Sequence, residues 1–242
     1  MVEFKPGEKV YGMAHRGYPV KFPENTLISF QAARDLGFTH LELDVHLTRD
    51  GVPVVMHDPT LKRMTGQKGR IGQMTLEELR RLKIRGREPI PTLHEALELV
   101  RGHMTVNIEI KQAGRRYPGL EEAVAKTIRQ LDMNDEVIVT SFDHLALVEF
   151  RRHMPATPIG PIVYGVSTDL FHLMRQIDAR YLSIQYTSLT PALIERCKKE
   201  GIQMIAWTVD DRAAMRKLSS WDPSILICTD ELEAFIEESA RS

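Results

Sequence analysis

Cysteine is scarce in this chain. Its only cysteines, Cys197 and Cys228, lie far apart with no CxxC spacing. That excludes a disulfide framework and a thiolate zinc knuckle, and reads as two buried thiols in a reducing compartment. No apolar run approaches the roughly 20 residues that a helical membrane span needs. The opening stretch MVEFKPGEKVYGMAHRG lacks the apolar segment of a secretory leader. A cytoplasmic protein without stable membrane insertion is expected. Neither sign of charge is in excess: 32 Lys and Arg stand against 33 Asp and Glu, a net charge of −1. A polyanion binder releases counterions through a basic surplus, so no nucleic-acid partner is expected. Low-complexity tracts and long polar linkers are also missing.

What the chain does have is alternation. Over 242 residues, short apolar runs trade places with amphipathic stretches. Strands are expected at 10–15, 40–45, 105–110, 136–141, 157–163, 180–185, 202–207 and 224–229. Helical patterns fill 24–37, 92–102, 120–132, 143–154, 190–201, 210–220 and 230–239, and the segment 166–178 takes the remaining helical place. Thr92 and Glu95 have the spacing of a capping box. Thr190 before Pro191 fits an N-cap followed by proline at the first helical position, and Gly37, Gly102 and Gly201 fall where helices should stop. Eight strand–helix units predict a parallel sheet closed into a (β/α)8 TIM barrel. Residues 1–242 read as a single catalytic barrel domain. One excursion breaks the repeat after the second strand. A turn at Arg49-Asp50-Gly51 leads into a short extra strand within 51–58, and a small insertion follows at about 59–90 with one short helix near 75–82.

Active sites of such barrels lie at the C-terminal ends of the strands. The expected strand ends carry His15-Arg16-Gly17, Glu42 and Asp44, His57-Asp58, Glu109 and Lys111, Ser141, Gln185, Trp207-Thr208 and Thr229-Asp230. Alternation puts Glu42 and Asp44 on one strand face, with Leu41, Leu43 and Val45 on the other. Side by side, two like charges need water or a cation between them. Glu42, Asp44 and Glu109 form an oxygen-only set suited to a hard divalent cation, Mg²⁺ or Ca²⁺. The same acids could instead pair with Arg16 and Lys111 as a structural network. His15 and His57 are of the residue type that moves protons near neutral pH. Arg16 and Lys111 offer charge to an anion, and Trp207 offers a flat apolar wall. Carboxylate pairs also serve glycoside hydrolysis, although two histidines and a lysine beside them fit that chemistry poorly.

The ordered set HRG (15–17), PENT (23–26), ELDV (42–45), DGVPVVMHD (50–58), NIEIK (107–111), SF (141–142), WTV (207–209) and TD (229–230) resembles the glycerophosphodiester phosphodiesterase family. The resemblance implies the same barrel and hydrolysis of a small-molecule glycerophosphodiester to sn-glycerol 3-phosphate and an alcohol. It further implies one divalent cation on Glu42, Asp44 and Glu109, and His15 and His57 as an acid–base pair. Arg16 and Lys111 would contact phosphate, with Trp207 on the glycerol side. The alternatives are a phospholipase-D-like hydrolase of lysophospholipids and a binding protein that captures glycerophosphodiesters without turnover. A homo-oligomer is left open.

Overall fold

The computed structural model describes residues 9–240. In chain order its elements are β1 (Val10–His15), α1 (Leu27–Asp35), β2 (Phe38–Leu47), β3 (Pro53–Val55), α2 (Lys62–Thr65), α3 (Leu76–Arg80) and α4 (Leu93–Val100). Then come β4 (Thr105–Ile110), α5 (Leu120–Gln130), β5 (Val137–Ser141), α6 (His144–His153), β6 (Ile159–Val163) and α7 (Leu170–Gln176). The chain finishes with β7 (Tyr181–Gln185), α8 (Pro191–Lys199), β8 (Gln203–Trp207), α9 (Arg212–Trp221), β9 (Leu226–Thr229) and α10 (Leu232–Ser239). Eight strands are parallel and close on themselves through β1, which pairs with both β2 and β9. The ninth, β3, lies antiparallel on the outer edge of β2, with Val45 opposite Val55 and Leu47 opposite Pro53. This is the (β/α)8 barrel with an insertion after the second strand that the sequence pattern predicts. Among the described residues, no helix is long and apolar enough to cross a membrane.

Alternation along β2 decides what is core and what is site. Leu41, Leu43 and Val45 are wholly buried in the layer between strands and helices, beside Phe30, Leu93 and Leu97. Each such side chain withdrawn from water contributes about 1.5–3 kcal/mol. The opposite face looks into the barrel, where Met13, Ile205, Leu226 and Cys228 make a small separate cluster. Above them the lining turns polar: Thr140 donates to Asn107 over 2.9 Å.

Helix boundaries depend on caps. The Thr92 capping box forms, Thr190 accepts from Leu193 N at the head of α8, and Asp143 and Asp211 cap α6 and α9. Each cap contributes about 1 kcal/mol. The first helix starts later than its amphipathic pattern suggests. Asn25 has φ of +57°, which no helix tolerates, and Thr26 accepts from Ser29 N as the true cap. Residues 23–26 are therefore a turn.

Between β3 and α4 the insertion makes a core of its own. Val54, Met56, Leu61, Met64, Ile71, Leu79, Ile84 and Ile90 bury one another apart from the main core. The short α3 starts at Thr75 with a complete capping box to Glu78.

The turn after β1 is the tightest point of the mouth. Gly17 has φ of +89°, and a Cβ there would lie 2.4 Å from Ser29 Oγ and 2.8 Å from the Ser29 carbonyl carbon. Left-handed backbone and overlap add, so Gly17→Ala is expected to cost about 3 kcal/mol in urea unfolding. Gly51 has φ of +79° but open space around it, and Gly51→Ala should lose only about 1 kcal/mol.

Candidate active site

Three strands bring the site together. The register sets His15 of β1 beside Glu42 of β2, and Asp44 beside Glu109 of β4. One carboxylate oxygen from each of Glu42, Asp44 and Glu109 lies within 4.8 Å of the others. Asp44 is fully buried and Glu42 nearly so. The convergence expected from the spacing is thus present in the structure.

Two fixed cations reach the cluster. Arg16 Nε stands 3.1 Å from Asp44 Oδ2, and Lys111 Nζ stands 3.1 Å from Asp44 Oδ1 and 2.6 Å from Glu109 Oε1. Arg16 gets there through a left-handed backbone, φ of +56°, at a strain of about 1–2 kcal/mol. Its N–H donates to Glu42 Oε2 over 3.0 Å. Asn25, also left-handed, donates its Nδ2 to Asp44 Oδ2 over 2.8 Å.

Three carboxylates against Arg16 and Lys111 leave one negative charge over. Burial, then the neighbouring Asp44, push the Glu42 carboxyl up to about 8. Burial and Asp44 also raise Glu109. Burial works to raise Asp44 as well, but Lys111, Arg16 and His57 override it and hold that carboxyl well below the usual range. Asp44 Oδ1, though close to Lys111, has no aligned hydrogen bond. An oxygen-only cluster with surplus negative charge and an unsatisfied buried oxygen fits a hard divalent cation.

The two histidines sit alike in opposite electrostatic settings. His15 Nδ1 donates to Asp230 Oδ1 over 2.7 Å, and His57 Nδ1 donates to Asp58 Oδ1 over 2.9 Å. Each carboxylate can only accept, so Nδ1 carries the proton and Nε2 is the nitrogen left for other partners. His15 Nε2 stands 3.9 Å from Glu42 Oε2. Burial would depress His15, but the Asp230 hydrogen bond and Glu42 outweigh it and the pKa rises. For His57 burial prevails, helped by Lys111 and Arg16, and the pKa falls.

Both histidines, Arg16, Lys111, Glu42, Glu109 and Trp207 line one cavity of about 210 Å³. Its volume matches a small molecule. Its apolar side is a trio of rings: Phe142 stacks on Tyr164 at 5.2 Å, and Trp207 meets them edge-on at 5.6 and 5.4 Å. Of the residues expected at the mouth, His15, Arg16, Glu42, His57, Glu109, Lys111, Trp207 and Thr208 line this cavity; Asp58, Ser141, Gln185, Thr229 and Asp230 do not, and Asp44 reaches its wall through Arg16 and Lys111. Ser141 belongs to the scaffold, since its hydroxyl donates to Ile110 O.

Sequence reasoning missed the partners. Asp58 and Asp230 were visible within HD and TD, but nothing assigned them to histidine Nδ1. Phe142 and Tyr164 gave no chemical signal of their own. His46 donates Nε2 to the His57 carbonyl over 3.0 Å and so holds that backbone.

Fold and mouth define the class: a (β/α)8-barrel enzyme whose strand ends gather acids, imidazoles and cations. Residues 15–234 match the glycerophosphoryl diester phosphodiesterase family, and the chain belongs to that family. It is 37% identical over 219 residues to a glycerophosphodiester phosphodiesterase of Caldanaerobacter subterraneus subsp. tengcongensis, covering 87% of this chain and 90% of the relative. The solved glycerophosphodiester phosphodiesterase of Thermotoga maritima superposes with a TM-score of 0.79 at 31% identity, covering 95% of this chain and 98% of that one. An Oleispira antarctica phosphodiesterase, solved in complex with the product sn-glycerol-3-phosphate, gives a TM-score of 0.84 at 27% identity, covering 94% and 96%.

Asp230 is the main group raising the His15 pKa. Asp230→Asn should therefore lower it while leaving His57, which has its own Asp58, in place. Imidazole Cε1–H chemical shifts followed through a pH titration read both at once. A His15 midpoint that stays put would refute the pairing.

Proposed function

We propose that this chain hydrolyses small glycerophosphodiesters to sn-glycerol 3-phosphate and an alcohol, using one divalent cation and an acid–base pair of histidines. The observation that carries this reading is the meeting of three carboxylates, two Nδ1-anchored imidazoles and two cations on one small cavity. Family membership and the product-bound Oleispira relative support the substrate class.

Glu42, Asp44 and Glu109 would hold Mg²⁺ or Ca²⁺, which supplies charge and Lewis acidity to phosphate oxygens. A divalent cation on the three carboxylates beside Arg16 and Lys111 would leave the core of the site positive, which suits a phosphodiester anion. Arg16 and Lys111 offset charge growing on the non-bridging oxygens. Arg16 keeps Nη2 for that purpose, since its Nε and Nη1 face Asp44 and Glu24.

The opposed pKa directions divide the proton work. His57, lowered, is neutral near pH 7, and its Nε2 accepts a proton from the attacking oxygen. His15, raised through Asp230, is the better placed of the two to hold a proton on Nε2 for the departing alcohol. Trp207, with Phe142 and Tyr164, offers the glycerol carbons an apolar wall.

Product release from a panel of glycerophosphodiesters, with and without chelator, tests the reading. His57→Asn should reduce kcat by ~10²–10⁴-fold, the contribution typical of a positioned proton-transfer group. Its circular dichroism should be unchanged. Undiminished turnover would remove His57 from the mechanism. Glu42→Gln should abolish cation-dependent turnover, and wild-type activity unaffected by excess chelator would reject the cation.

Metal affinity has its own signature. A cation on Glu42 must displace a proton held up to about pH 8, so binding should tighten as pH rises from 5 toward 8 and release protons. Calorimetry of Mg²⁺ or Ca²⁺ in buffers of different ionisation enthalpy reads this directly. Affinity independent of pH over that range would contradict it.

A further inference from the structure

The insertion sends one side chain back into the site. Arg63, on α2, forks onto Asp58 with Nε to Oδ2 at 2.7 Å and Nη2 to Oδ1 at 3.0 Å. The same guanidinium forks onto Glu24, with Nη1 to Oε2 at 2.9 Å and Nη2 to Oε1 at 2.8 Å. Asp58 in turn receives His57 Nδ1, and Glu24 Oε1 receives Arg16 Nη1 over 3.1 Å. Arg63 is thus one carboxylate away from an imidazole and one carboxylate away from the cation facing Asp44.

A plain staple for the insertion is the simpler explanation, and the local packing argues against it. The α2 turn is already held by buried Leu61 and Met64, by the Thr65 N–H to Leu61 O, and by the Arg85 N–H to Met64 O. Arg63 is 43% exposed in its side chain while Glu24 and Asp58 are 13% and 23% exposed, so its forks point inward to the site rather than across the insertion. Its planar fork matches two carboxylates at once, which an ammonium cannot do. Hydrogen bonds from Arg63 are the chief reason Asp58 is held down at about 2, so His57 always faces a full anion.

We propose that Arg63 is a positioning residue of this active site, gripping Asp58 and Glu24 so that the tautomer of His57 and the reach of Arg16 are set together. Catalytic geometry then depends on the folded insertion. The inference rests on the reading of His57 as the proton acceptor and Arg16 as a phosphate ligand. Charged groups facing His57 are Asp58 on its own segment, Asp44 of β2, Lys111 after β4 and Arg16 after β1. Removing Arg63 leaves Asp58 uncompensated, so His57 should keep its proton to higher pH.

The test is steady-state kinetics on the cation-loaded enzyme, with kcat, KM and the acid limb of the pH profile read separately. Arg63→Gln should lower kcat by about 10–100-fold, as loss of an orienting partner does. It should also raise KM and move the acid limb upward in pH. Arg63→Lys keeps the charge but not the double fork. It should leave the limb near its wild-type position while kcat still falls, and it serves as the test should Arg63→Gln fail to fold.

Adding Arg63→Gln to Asp58→Asn should cost no further kcat, and adding it to Glu24→Gln should cost no further KM. Wild-type kcat, KM and limb in the folded Arg63 variants, even with a lowered melting temperature, would reduce Arg63 to a staple and overturn the proposal. Independent, multiplicative effects in the double variants would overturn it too. The two readings fail differently: a fully active His57→Asn sinks the mechanism itself. An inactive His57→Asn beside unaffected Arg63 variants sinks only the role of Arg63.

Discussion

Surplus negative charge in a dry place is the constraint around which this mouth is arranged. Water cannot dilute the repulsion among Glu42, Asp44 and Glu109, because Glu42 and Asp44 are buried. The chain answers locally with whatever positive charge the neighbouring turns can supply. Arg16 adopts a disfavoured backbone to reach Asp44, Lys111 straddles two acids, and Glu42 retains its proton. Each of these answers also leaves the site responsive to a small ionic ligand.

Barrel closure turns that local arrangement into a site. Strands β1, β2 and β4 are adjacent, and their register staggers His15, Glu42, Asp44 and Glu109 across two levels. The distant half of the barrel contributes mainly rings and small polar groups, so the cavity has a charged side and an apolar side. The residues joining those sides come from opposite ends of the chain: His15 meets Asp230 across 215 positions.

That distance explains what could be read from the sequence. Period-two alternation makes the shared face of Glu42 and Asp44 visible without coordinates, and the strand–helix rhythm gives the barrel. The convergence with Glu109 then follows from parallel neighbours in register. Partners brought together by closure or by the insertion have no such periodic trace. Asp230 lies behind the last strand, and Arg63 meets Glu24 over 39 positions through a small helix of four residues. The left-handed turn at Asn25 was hidden for another reason. The amphipathic pattern of 24–37 runs straight through it, and only its left-handed backbone stops the helix from starting there.

The private core of the insertion has a consequence for dynamics. Eight apolar side chains there pack on one another rather than on the barrel layer. A segment held in this way has its own opening equilibrium, set by a few kilocalories rather than by the whole fold. Amide exchange within 59–90 is therefore expected to run ahead of exchange in the central strands.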